Sequence, residues 1–127
     1  MGVRSYRLTA IDHVQLAMPP GPQAEAAAEG FYGGLLGLER LPKPPPLAAR
    51  GGGWFSNGGV MLHLGVVEDF RAARKAHPAL VVDDLGALTD ALEAAQVEVR
   101  PDHEMPGVTR SYVDDPFGNR IELIDGR

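Results

Sequence analysis

Cysteine is absent from the 127 residues, which excludes disulfides, thiolate nucleophiles and cysteine-ligated zinc together. That absence is compatible with a reducing cytosol. Basic residues are outnumbered, with 12 Lys and Arg against 17 Asp and Glu and a net charge of -5. No basic run interrupts that balance, so the charge pattern that grips a phosphate backbone is missing and nucleic acid is not an expected partner. Long apolar runs are missing too. Nothing approaches the ~20 residues of a membrane span, and the opening MGVRSYRLTAID contains no apolar leader core. A soluble, cytoplasmic chain with no membrane partner is the expectation.

What is present is ordinary for a globular protein: 44% hydrophobic and 23% charged residues. At this length roughly two thirds of the unfolded surface can be buried, enough for one self-sufficient domain over residues 1–127. Sixteen glycines and eleven prolines imply many turns and short elements.

Residues 8–18 alternate in character and predict a half-buried strand, broken by Pro19, Pro20, Gly21 and Pro22. Ala24, Ala27, Ala28, Phe31 and Leu35 repeat with helical spacing over 23–36, and Gly37 predicts the end of that helix. A short strand is expected at 38–41, a proline- and glycine-rich loop at 42–53, and strands at 54–56 and 60–67 joined by Asn57-Gly58-Gly59. Residues 68–76 read as a solvated connector. The same order then recurs: strand 77–82, a helix capped at Asp83 and Asp84 with Leu85, Leu88, Leu92 and Ala95 on one face, and strands at 97–100, 110–113 and 120–124. The loop 101–109 matches the loop 42–53 in position. Each is either a lid or a simple linker.

The recurrence extends to single residues. His13 of HVQLAM aligns with His77 of HPALVV, and the glycines of GVMLHL and GNRIEL each stand four residues before His63 or Glu122. An internal duplication explains this, with one module over about 8–67 and a second over about 77–125. Strand parity then sets His13, His63, His77 and Glu122 on the faces turned away from the helices. If the sheets curl, four side chains of metal-ligating type meet there, including three of the chain's four histidines.

The motifs IDHVQLAM (11–18), FYGGLLGLE (31–39), HPALVVDD (77–84) and SYVDDPFGNRIEL (111–123) resemble the vicinal oxygen chelate superfamily of glyoxalases, extradiol dioxygenases, fosfomycin-resistance enzymes and bleomycin-resistance proteins. The resemblance covers roughly Leu8 to Asp125. It implies an α+β, glyoxalase-like fold: two βαβββ modules forming a curled mixed sheet around a cleft. It also implies a divalent cation on the first, fourth, fifth and eighth strands, hence His13, His63, His77 and Glu122 as ligands. Family members with three ligands use two histidines and a glutamate, and glyoxalase-type members put a second acid where this chain has His63. His63 is therefore either a fourth ligand or a base, and His63 and Glu122 are the candidate catalytic residues. Such a nitrogen and oxygen set suits Fe, Mn, Ni, Co or Zn, with affinity falling below about pH 6 as the imidazoles protonate.

The expected function is that of a metal-dependent enzyme of the glyoxalase or dioxygenase type: a lyase, isomerase, transferase or dioxygenase. It would act on a small oxygen-rich molecule through chelation, and would work as a homodimer. The alternative is a metal-free protein of the bleomycin-resistance type that sequesters a small molecule. Whether the cleft lies within one chain or across two is open. His103 reads as a surface residue, and Trp54, Phe55 and Tyr112 as core. Arg110 and Arg120 read as surface charges, with an anionic substrate as the other account.

Overall fold

Alternating apolar and polar residues build β1 (Val14–Met18), which ends where Pro19 and Pro20 remove backbone donors. A computed structural model of the chain describes Gly2 and residues 4–127. Met1 and Val3, two positions of the expected 1–127 domain, lie outside the described residues. Residues 8–13 are not part of β1; His13 stands one position before it.

Pro22 opens α1 (Pro22–Ala28), where a missing N–H costs nothing. The helix runs on as π-helical turns through Glu29–Leu35, and Leu36 N–H bonds to the Phe31 carbonyl, five residues back. Gly37, at φ 73°, turns the chain out, and Leu38 N–H closes the end on the Tyr32 carbonyl. The termination expected at Gly37 is therefore met. β2 (Glu39–Leu41) follows. In the loop expected over 42–53, the prolines seed one helical turn, α2 (Pro45–Ala48). β3 (Gly53–Ser56) and β4 (Met61–Val66) complete a sheet in the order β1-β4-β3-β2, with β1 parallel to β4.

The second half repeats the plan. β5 (Ala79–Val82) leads to α3 (Leu85–Ala94), whose cap Asp84 accepts from Ala87 N–H at 3.0 Å. β6 (Arg100–Asp102), β7 (Arg110–Asp114) and β8 (Arg120–Asp125) give the order β5-β8-β7-β6, with β5 parallel to β8. The identical strand order is the structural form of the duplication read from the sequence. The third strand of this half is displaced from the expected 97–100 to 100–102. Val97 and Val99 pack against the core from an irregular segment, and Pro101 is tolerated because β6 pairs only with β7.

The architecture is the expected α+β one, two mixed sheets with helices, and the two sheets do not close on each other. Their helix-facing sides meet in one core of Met18, Phe31, Tyr32, Phe55, Leu62, Leu64, Leu92, Val113, Ile121 and Leu123. A buried polar network crosses it. Asp115, in the turn between β7 and β8, accepts from Tyr32 Oη, from the backbone of Phe117 and Asn119, and from the Asn119 side chain. Asn119 also donates to the Ala17 carbonyl of β1 at 2.7 Å. Four donors make a buried carboxylate tolerable. Burial, then the Asp115 charge, push the Tyr32 hydroxyl far above the usual phenol range.

Candidate functional site

β4 runs between β1 and β3, so His63 at its centre faces neighbours on both sides: Gln15 across the parallel pair and Trp54 across the antiparallel one. The Trp54 and His63 rings stack at 4.7 Å and 13°, and His63 stacks on His13 at 4.0 Å and 17°. Burial, then the adjacent His13, hold the His63 pKa below that of an ordinary histidine. His13 Nδ1 lies 2.8 Å from Asp12 Oδ2, which orients the ring and leaves Nε2 without a partner among the described residues.

The second sheet presents a different assembly. His77, just before β5, has Nδ1 2.7 Å from the Lys75 carbonyl and Nε2 3.1 Å from Glu122 Oε1. The carbonyl can only accept, so a neutral His77 carries its proton on Nδ1 and turns its Nε2 lone pair toward the carboxylate. Two lone-pair-bearing atoms in that position require a proton or a metal cation between them. Glu122 is buried, its side chain 9% exposed, and Arg110 donates to its other oxygen at 3.2 Å. Arg110 also reaches Asp102 at 3.4 Å, while its buried Nε has no partner among the described residues. Tyr112 stands opposite Glu122 on β7, with His77 edge-on at 5.4 Å and the Arg120 guanidinium 4.2 Å above its ring.

The four residues expected as ligands thus form two pairs, His13 with His63 and His77 with Glu122, on different sheets. Among the described residues no group of three or more His, Cys, Asp or Glu side chains is placed to hold a metal. Each pair has the chemistry of half a centre. An ion bound at about 2.1 Å separates two donors by about 3.0 Å at a right angle and about 3.4 Å at a tetrahedral angle. The His77–Glu122 distance of 3.1 Å falls between these. A cation therefore fits the donors present, provided that the two pairs are brought together.

Several neighbours were misread from sequence. Trp54 is not core: it is half-buried and extends the imidazole stack, while Phe55, next in the strand, is buried as expected. Tyr112 is likewise half-buried beside His77. Arg110 is no surface charge, since its side chain is only 13% exposed and clamps Glu122. The signal was available in parity, because Arg110, Tyr112, Arg120 and Glu122 share a face once the β7–β8 register is known. His103 is exposed, as expected. Among the described residues no helix is long and apolar enough to cross a membrane.

The model of the Glyoxalase/Bleomycin resistance protein/Dioxygenase superfamily matches residues 10–123. No protein of curated function matches the chain. Among solved structures, a glyoxalase family protein from Bacillus anthracis is 44% identical, with 98% of this chain and 100% of that one covered and a TM-score of 0.90. Lactoylglutathione lyase from Agrobacterium tumefaciens is 27% identical over 95% of this chain and 96% of its own, with a TM-score of 0.72. An antibiotic binding protein from a Streptomyces species is 25% identical over 93% of this chain and 98% of its own, with a TM-score of 0.65.

Proposed function

The chain belongs to the Glyoxalase/Bleomycin resistance protein/Dioxygenase superfamily, and on that premise we propose that it is a metal-dependent enzyme acting on a small oxygen-rich molecule. His13, His77 and Glu122 hold a divalent cation, and His63 is the fourth donor or the base. The observation that carries this reading is the His77–Glu122 pair, in which Nδ1 is anchored by the Lys75 carbonyl and Nε2 faces a carboxylate oxygen at 3.1 Å. A bound Fe, Mn, Ni, Co or Zn ion supplies Lewis acidity toward two adjacent substrate oxygens. The protein's own part is to orient. Asp12 and the Lys75 carbonyl fix the rings of His13 and His77, and Arg110 fixes Glu122. Tyr112 and Trp54 wall the two half-sites.

The reading places each complete site between two copies of the chain. Among the described residues β1 and β5 each pair on one side only, and they are the strands beside which His13 and His77 stand. Val81 on β5 is 66% exposed, an apolar side chain left on an open edge. In a two-fold dimer the His13–His63 pair of one copy meets the His77–Glu122 pair of the other.

Elemental analysis of protein purified without chelator tests the metal. The expected result is about one divalent ion per chain, abolished by His13→Ala and by Glu122→Gln. Mixing the His13→Ala and His77→Ala variants tests the shared site. Each mixed dimer regains one intact site of two, so random exchange restores about a quarter of the sites. Sites confined to one chain would regain none.

A second reading has its own support. The Trp54–His63–His13 stack is a continuous flat wall of the kind that binds planar molecules, and a Streptomyces relative of 25% identity is an antibiotic binding protein. A sequestering protein would contain no stoichiometric metal after reconstitution and would keep its ligand affinity in Glu122→Gln.

A further inference from the structure

A cavity of about 420 Å³ opens beside the imidazole stack, lined in part by His13, Gln15, Lys43, Arg50, Trp54 and His63. No carboxylate lines it, although acids outnumber bases in the chain by 17 to 12. Its two cations come from one loop, on either side of α2. Pro42, Pro44, Pro45 and Pro46 stiffen that loop. The Lys43 ammonium is anchored by the Gly51 carbonyl at 2.6 Å, and among the described residues Arg50 has no ion-pair or hydrogen-bond partner. Two residues after Arg50, Gly52 has φ 77°, and any side chain there would run into the Leu64 carbonyl, so the path that carries Lys43 and Arg50 to the rim is closely set. The two nearby acids are engaged elsewhere. Glu25 lies behind the loop, accepting from Gly52 N–H at 2.8 Å and facing Arg40 at 3.7 Å, and Asp12 orients His13.

We infer that this cavity receives a compact oxyanion, a carboxylate or a phosphoryl or phosphonyl group, carried by the substrate and held between Lys43 and Arg50. The inference rests on the function proposed above, since the cavity is the substrate side of the same site, and it narrows the substrate to an anionic molecule. A fixed ammonium and an unengaged guanidinium flanking a cavity of mixed polar and apolar lining are the donors that recognise such a group. The local positive field within an acidic protein also draws anions toward it.

Trp54 is the only tryptophan and lines this cavity, so its fluorescence reports on binding there in metal-free protein. Chelator-stripped protein is titrated with inorganic phosphate and, separately, with acetate, at ionic strength held constant by potassium chloride. A saturable change in emission is expected for at least one anion, and the tighter of the two identifies the group. Lys43→Met with Arg50→Met should weaken binding at least about tenfold. Arg50→Met alone, at an exposed residue without bonds that folding would miss, should weaken it about threefold. Arg74→Met, an exposed cation of the connector, should leave it unchanged. No saturable response to either anion, or an equal loss in Arg74→Met, overturns the inference. Zinc uptake measured on reconstituting the same preparations separates the two claims. Metal without an anion response sinks this inference alone, and an anion response in protein that takes up no metal sinks the metal reading alone.

Discussion

The two halves share one strand order and differ in almost everything their open faces carry. The first half displays a stack of three aromatic rings, oriented by an exposed carboxylate, Asp12, whose side chain is 95% accessible. The second half buries a network of His77, Glu122, Arg110 and Asp102 around the Tyr112 ring. A duplicated frame therefore fixes where side chains point and leaves their chemistry free to diverge. One half contributes a polarisable wall with imidazole donors, and the other contributes the carboxylate. That division explains why neither half alone amounts to a metal centre. It also assigns different energetic weight to residues at matched positions, which is open to measurement.

The largest expected contrast is in stability. Glu122→Ala strands the Arg110 guanidinium, 13% exposed, with only Asp102 at 3.4 Å. Removing one member of a buried pair costs about 3 kcal/mol. His13→Ala removes an accessible ring and should cost less than about 1 kcal/mol. Urea denaturation of the two metal-free variants measures both, and equal losses would refute the division. Next comes metal affinity. Arg110→Met frees Glu122 to rotate and should weaken zinc binding by about tenfold or more, whereas Asp12→Asn keeps an acceptor for His13 Nδ1 and should change it less than about threefold. Competition titration with a chromophoric chelator compares them. The join between the halves ranks third. Tyr32→Phe deletes one of four donors to Asp115 and should cost about 1.5 kcal/mol in the same denaturation assay.

How much of this could be read in advance follows from the range of each interaction. Asp84 caps α3 through a bond to Ala87, three residues away, and Gly37 ends the helix that begins as α1 within one turn. Such local chemistry is legible in sequence. Parity also placed His63 and Glu122 opposite their apolar neighbours. β6 was misplaced because Val97 and Val99 alternate like strand residues but spend that pattern on the core. The bond from Tyr32 to Asp115 spans 83 positions and that from Asn119 to Ala17 spans 102, and no periodicity announces either. Parity sets Arg110 and Glu122 on the open faces of their own strands, and only the β7–β8 register shows that they meet across the hairpin. Parity tells which face a ligand occupies. It does not tell that the two faces belong to sheets that one chain leaves apart.

The smallest expected effect sharpens the comparison through pH. The Glu104 backbone N–H, at 2.8 Å, and then the Arg110 charge hold the Asp102 carboxyl below its ordinary value. A carboxyl with a depressed folded-state pKa adds stability above the unfolded value, near 4, and loses it as pH falls through the folded one. Asp102→Asn should therefore lower the melting temperature at pH 6, and the gap to the unaltered protein should close as pH falls below about 4. Asp12→Asn, on the exposed carboxylate of the first half, should show no comparable gap. Melting curves for both variants between pH 3 and pH 7 decide the point. A gap for Asp102→Asn that stays constant across that range would mean its carboxylate acts through hydrogen-bond geometry instead of charge, and the second half would then lose its claim to be the electrostatic one.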